Sequence, residues 1–463
     1  MLKNNLFFDK FESFRNKTAL ILENNKRITY KDLLLISEKI SKQIDKKKKL
    51  IFLLGQNNLE SIAGYISFIK KGHAVTFLDS RINKFFLDNL VKLYKPSYIF
   101  CEKKIKKINS YNSILNFKSY VLLKRKKIEK HILHKDLMLL MSTSGTTGSP
   151  KFVRQSYLNV ISNTQEIIKY LKIKSTDITV TSLPISYVYG LSVINTHLRA
   201  GATIVLTNYS MVEKKFWKLI EKNKVNNFSG VPYNYSIIEK ISKKGLPSSI
   251  NYTTQAGGKM NKVLLTKIIN IYKKNKIKLI QMYGAAEATS RMSYLKWQFA
   301  EKKLGSIGKP IPGGLFYLID KSGKRIKKNG ELVYEGNNVC MGYSENLKDL
   351  SLPDLNKGKL KTGDLAYTDK DGFYYIEGRK NRYIKIYGIR VNLSELETIL
   401  SNKGIDVIMK EAEENKINIF FKNPLKIKEG IDYISKITSI NLNVFRGRVI
   451  LRKNLTNNFK YKV

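Results

Sequence analysis

Cysteine is almost missing from this chain: only Cys101 and Cys340 occur in 463 residues, and neither has a second cysteine or a histidine nearby at metal-ligand spacing. A disulfide scaffold and a structural zinc site are thereby excluded as organising principles. Long apolar runs are also lacking. No stretch approaches the roughly 18 apolar residues that a membrane-spanning helix needs, and the opening MLKNNLFFDKFESF has no signal-peptide core. The chain is read as cytoplasmic, without a transmembrane segment. Acidic residues are scarce, 37 against 84 Lys and Arg, for a formal net charge of +47. That balance would suit nucleic acid or an anionic surface. The lysines, however, are spread through nearly every segment, and runs such as KKKK at 46–49 and KRKK at 124–127 carry no interleaved aromatics. No specific nucleic-acid partner is expected.

What is present is enough chain for two or three domains, with an ordinary apolar fraction of 43%. Short apolar runs at 49–54 and 74–78 read as buried strands, and LESIAGYISFIK at 59–70 between them has helical spacing. The same βαβ rhythm resumes with candidate strands at 178–183, 203–206, 227–231 and 278–282. Such a pattern predicts parallel sheets, with binding residues at the carboxyl ends of the strands. After about residue 303 the turns become Gly-rich between short alternating strands, as in a small β-barrel. A last α+β segment follows, with a capping-box-like helix start in NLSELE at 392–397.

The apolar run at 137–141 leads into STSGTTGSPK at 142–151. A glycine-rich turn after a strand brings backbone N–H groups close to an anion, so a phosphate is the first expectation. A P-loop of the GxxxxGK[ST] type is ruled out, because Pro150 interrupts the spacing and Phe152 stands where Ser or Thr is required.

The stretch from Thr143 to Lys151 resembles the phosphate loop [ST]SG[ST]TGxPK of the adenylate-forming superfamily, which includes acyl-CoA synthetases, luciferases and peptide adenylation domains. LPISYVYGL at 183–191, QAGGKM at 255–260, MYGAAEAT at 282–289, KTGDLA at 361–366, GRKNRYIKIYGIR at 378–390 and TNNFKYK at 456–462 resemble further motifs of that family, in its order. The resemblance covers nearly the whole chain. It implies an α/β fold: an N-terminal adenylation core, 1–380, of two parallel-type α/β sheet subdomains plus a small β-barrel at about 303–377, then a small mobile α+β domain, 381–463.

The resemblance also implies roles. Thr143, Ser144, Gly145, Thr146, Thr147, Gly148 and Lys151 would hold the phosphates of ATP; Gly257 and Gly258 would pass beside adenine, with Tyr283 stacking on it and Gly284 in the same motif. Glu287 would coordinate Mg²⁺, Asp364 and Arg379 would bind the ribose, and Lys460 would be the adenylation lysine. Tyr187 and Gly190 would line the acid pocket. Asn381 falls at the hinge, and Lys385 and Gly388 fall where the thioester-forming step is served, the glycine leaving room for pantetheine. Ala286 and Phe459 depart from the family's usual threonine and glycine.

Carboxylates are poor electrophiles, and activation to an acyl-adenylate answers that; an ionised nucleophile needs no general base. A chain with four histidines, none at a motif position, agrees with this. The thiol acceptor is expected to be CoA or the phosphopantetheine of a separate acyl carrier protein. No acidic residue lies between Leu183 and Ala202 to pair a substrate ammonium, which disfavours an α-amino acid. Tyr187, Tyr189, Leu191, Ser192 and Met292 suggest a short or medium acyl, hydroxy or aryl acid. An amino-acid-activating ligase and a non-catalytic nucleotide- or nucleic-acid-binding relative stand as alternatives.

Overall fold

The computed structural model describes residues 8–105, 108–127, 132–142, 151–379, 383–387, 389–401, 403–412, 415–438 and 440–449. The chain divides into two compact units, the first ending at Gly378 and the second beginning at Arg379.

In the first unit, an eight-stranded sheet is centred on Leu50–Gly55, with Ala74–Asp79 and Tyr98–Glu102 on either side, parallel to it. Leu50–Gly55 is buried at every position, which explains its continuous apolar reading: both faces of a central parallel strand are covered. The connecting helix Leu59–Lys70 is started by Asn58, whose side chain accepts the Ser61 N–H. A nine-stranded sheet holds parallel strands Ile178–Val180, Thr203–Val205, Asn227–Gly230, Tyr252–Gln255 and Lys278–Tyr283, and is bordered by antiparallel strands. The largest core joins the two sheets, combining Leu53, Phe77 and Met138 with Leu20 and Ile204. Helices Leu59–Lys70 and Val188–Arg199 contribute to it and are buried almost all round, as interior helices must be.

Where a small β-barrel was expected, a five-stranded sheet forms from Leu315–Ile319, Arg325–Ile326, Asn329–Glu335, Lys359–Thr368 and Tyr374–Arg379. Its own core is built on Phe316, Leu332 and Tyr334.

In the second unit, Tyr383–Ile386 pairs antiparallel with Ile389–Asn392, and helix Leu393–Ser401 follows at once. Strand Ile417–Phe421 pairs antiparallel with Val407–Glu411 and parallel with Phe445–Val449. With helix Ile427–Thr438 these enclose a core of Leu396, Leu400, Ile419 and Ile434. The α+β reading of this segment matches these elements.

Candidate functional site

The phosphate-loop stretch lies between antiparallel strands Leu137–Ser142 and Phe152–Ser156, which pair with Ser142 opposite Phe152. Thr143, Ser144, Gly145, Thr146, Thr147 and Gly148 lie outside the described residues, as do Asn381, Gly388, Phe459 and Lys460. Lys151, at the end of that stretch, has a defined setting. Its ammonium sits 4.1 Å from the centre of the Tyr343 ring and 3.5 Å from a Glu345 carboxylate oxygen.

Tyr343 also reaches the predicted metal residue. Its hydroxyl donates to Glu287 Oε1 at 2.8 Å, and the Glu287 side chain is otherwise buried. Glu287 occupies a short turn, Ala286–Ala288, on the connection 284–292 between the antiparallel strands Lys278–Tyr283 and Ser293–Leu295. The connection is fixed from outside. Gln155 donates to the Ala286 carbonyl at 3.0 Å, Cys340 N–H to the Glu287 carbonyl at 2.8 Å, and Asn338 to the Ala288 carbonyl at 2.8 Å. Thr289 holds φ +63°, costly for a β-branched residue, and its hydroxyl donates to the Asn338 carbonyl at 2.6 Å. A Cβ on Gly284 would lie 1.8 Å from the Ser290 carbonyl oxygen, so only glycine lets the connection fold back on itself.

Tyr283 and Asp364, 81 residues apart, meet directly: the tyrosine hydroxyl donates to a carboxylate oxygen of Asp364. Asp364 is buried, and its backbone N–H donates to Thr362 Oγ1 at 3.1 Å. A buried carboxylate aligned by a tyrosine suits two vicinal hydroxyl donors. The residues present therefore fit a ribonucleotide, and Glu287 has the hard oxygen chemistry for Mg²⁺. Arg379 ends the strand Tyr374–Arg379, and Lys385 lies on Tyr383–Ile386 opposite Arg390 in the second unit.

The predicted acid-pocket residues cluster at the start of helix Val188–Arg199. Gly257 adopts φ +82°, and a Cβ there would come within 2.8 Å of the Tyr187 hydroxyl, so turn and tyrosine are packed to contact. Gln255 donates to the Gly258 carbonyl at 2.8 Å, closing that turn. Burial pushes the Tyr187 phenol up to about 12, against the pull of the Arg291 cation. Gly190 is set by packing as well, since a Cβ would lie 2.1 Å from the Pro184 carbonyl oxygen.

Sequence reasoning missed Tyr343, Arg154 and Arg291. Arg154 is fully buried and donates to the carbonyls of Tyr343 (3.0 Å), Leu352 (2.6 Å), Met341 (2.7 Å) and Pro353 (3.1 Å). It ties the strand leaving the phosphate loop to the segment bearing Tyr343. No local pattern announces such long-range partners; the one available signal was a charged residue three positions after a predicted active-site motif.

Among similar proteins, the 2-succinylbenzoate–CoA ligase of Listeria innocua is 25% identical over 443 residues, 93% of this chain and 91% of the relative. That of a Geobacillus species is 31% identical over 269 residues, 57% of this chain and 53% of the relative. The o-succinylbenzoate CoA synthetase of Bacillus subtilis, bound with a product analogue, superimposes with a TM-score of 0.78 at 22% identity, covering 98% of this chain and 96% of the other. The same enzyme in complex with ATP and a magnesium ion gives 0.68 at 22% identity, covering 96% and 95%. Residues 7–344 match the family described as AMP-binding enzyme, and with most of its length so matched, the chain belongs to that family.

Proposed function

We propose that this adenylate-forming acid–thiol ligase activates an aryl keto acid of the 2-succinylbenzoate type and transfers it to CoA. The observation that carries the reading is the contact of one side chain, Tyr343, with both Lys151 and Glu287. It brings a phosphate-loop cation and a metal-type carboxylate into one arrangement, which is what attack on an α-phosphate requires. The relatives' named substrate supplies the acid class, and the Listeria innocua relative's match over 93% of this chain supports carrying it over.

In this reading Tyr283 and Asp364 hold the adenosine, the carboxylate accepting the ribose hydroxyls once the tyrosine hydroxyl yields. Glu287 would hold Mg²⁺, which supplies charge neutralisation on the phosphates. Lys151 and the loop 143–148 bind the phosphates; Lys460 neutralises charge at the α-phosphate; Arg379 assists at the ribose. Gly257 and Gly258 pass beside adenine, and Tyr187 and Gly190 face the acid. Lys385 and Gly388 serve the thiol step. The substrate carboxylate is already ionised, so no residue has to remove a proton for the first step. The enzyme acts in the cytoplasm; among the described residues no helix is long and apolar enough to cross a membrane.

The test is ATP–pyrophosphate exchange over a carboxylic acid panel, followed by mass detection of the thioester formed with CoA or a phosphopantetheinyl carrier protein. Exchange with 2-succinylbenzoate and a CoA thioester product is expected. Exchange with no acid, or with other acids only, would sink the proposal. Product with the carrier protein alone would redirect the acceptor, and exchange surviving Lys460→Ala would remove that residue's role.

A further inference from the structure

Arg291 is a buried cation without an anion. Its side chain is 3% exposed, and no carboxylate pairs with it among the described residues. One terminal nitrogen donates to the Ser290 hydroxyl and carbonyl, Nε lies 3.4 Å from the Met282 sulfur, and the guanidinium stacks 3.7 Å from the centre of the Tyr189 ring. These neutral partners orient the charge without cancelling it. A desolvated, unpaired charge is costly to keep, and that cost is offset when a ligand brings the counter-charge.

The position is prepared rather than incidental. The main chain at 291 is clamped by Asn163, which donates to its carbonyl at 2.9 Å and accepts its N–H at 3.3 Å, and by Asn338, which donates to the same carbonyl at 2.9 Å. Arg291 lies four residues beyond Glu287 on the same connection, and its Cα packs 2.9 Å from where a Gly284 Cβ would stand. Its charge acts on the phenols of Tyr170, Tyr187 and Tyr189, the tyrosines that line the region around the Gly257 turn.

A small cavity adjoins Arg291. Lined also by Ser192, Thr196, Asn227 and Tyr252, it measures about 10 Å³, room for about one water. Ser229, Thr254 and Met282, each one residue from the carboxyl end of its strand, line it too, so the cavity reaches toward the ends where the nucleotide motifs sit.

We infer that Arg291 is the specificity-determining counter-ion for a second carboxylate on the substrate, making the preferred acid a dianion. One carboxylate is activated; the other is neutralised by Arg291, whose planar fork matches a carboxylate's two oxygens. This inference rests on the acid-activating reading above and adds to it the residue that selects the charge.

The experiment compares 2-succinylbenzoate with 4-oxo-4-phenylbutanoate, the same skeleton without the ring carboxylate, in ATP–pyrophosphate exchange by wild type, Arg291→Met and Arg291→Lys. Wild type should favour the diacid by about 100-fold in kcat/KM, as expected when a buried polar group is otherwise left unpaired. In Arg291→Met the preference should collapse to within about threefold with the KM for ATP unchanged, while Arg291→Lys keeps part of it. Titration calorimetry with 2-succinylbenzoate should show the same loss without any turnover. Equal loss for both acids in Arg291→Met, or a wild type indifferent to the second carboxylate, would overturn the inference and leave the ligase reading standing. Exchange with neither acid and no calorimetric binding would overturn both. Should Arg291→Met fail to fold, Arg291→Lys and the wild-type comparison still decide.

Discussion

The Tyr343 hydroxyl donates to Glu287 at 2.8 Å, while the face of the same ring lies 4.1 Å from the Lys151 ammonium. Tyr343 therefore presets two charges of opposite sign. Tyr343→Phe keeps the ring and removes the donor. About a 3- to 10-fold rise in the Mg²⁺ concentration needed for half-maximal exchange is expected, in line with one lost charge-assisted hydrogen bond. Its melting temperature should stay near wild type because the residue is partly exposed. Tyr343→Ala should also raise the KM for ATP, since Lys151 loses its platform.

Asp364 and Tyr283 should separate cleanly by substitution. Asp364→Ala is expected to weaken nucleotide binding by about 100-fold or more, because a buried carboxylate to two hydroxyl donors is removed. Tyr283→Phe keeps the stacking surface and frees the carboxylate, so its loss should be under about 10-fold. Fluorescent nucleotide titration measures both.

Gly257→Ala meets two penalties, a φ of +82° and a Cβ 2.8 Å from the Tyr187 hydroxyl. A loss of about 1–2 kcal/mol in stability and a raised KM for the acid are expected. Adding Tyr187→Phe removes the obstructing oxygen and should restore part of the acid KM while leaving the backbone cost. Additive effects in this double-mutant cycle would contradict the packing described.

Arg154→Met removes the guanidinium donor from four backbone carbonyls, of which that of Met341 keeps the Leu355 N–H, and leaves a cut-back side chain in a fully buried position. Destabilisation of about 3 kcal/mol or more is expected in denaturant unfolding. The KM for ATP should rise too, since the Tyr343 segment loses its anchor.

His73 gives a pH signature. It is fully buried, its Nδ1 accepts the Lys49 N–H at 3.1 Å, and burial together with the nearby Lys71 and Lys48 charges pushes its pKa down from 6.5 to about 4. The unfolded chain thus takes up a proton that the folded one refuses. The stabilisation is complete above pH 6.5 and is lost as pH falls toward and through 4, by about 3 kcal/mol. His73→Gln should flatten the fall in stability between pH 7 and 4 in chemical denaturation.

The sequence made the scaffold readable because its signals are local. Helix Leu59–Lys70 has the bounds that its spacing predicts, and the strands at 74–78 and 278–282 each extend one residue further than their apolar runs. The strand beginning at Ile178 stops earlier, at Val180, and the Thr181 hydroxyl just beyond it donates to the Thr207 carbonyl, past the end of the neighbouring strand Thr203–Val205. The motif residues Glu287, Asp364 and Tyr283 were legible by resemblance, but their pairing was not. Tyr343, Arg154 and Arg291 acquire meaning only through partners across the fold, and a tyrosine or arginine in a chain with 27 tyrosines carries no local mark.

The two asparagines that grip the backbone at 291 hold it independently of the side chain there. A change at that codon can alter which tail the pocket accepts while the turn bearing Glu287 keeps its shape. Selectivity and chemistry are thereby separable by inheritance: a descendant can trade diacids for neutral-tailed acids in one step, with no inactive ancestor in between.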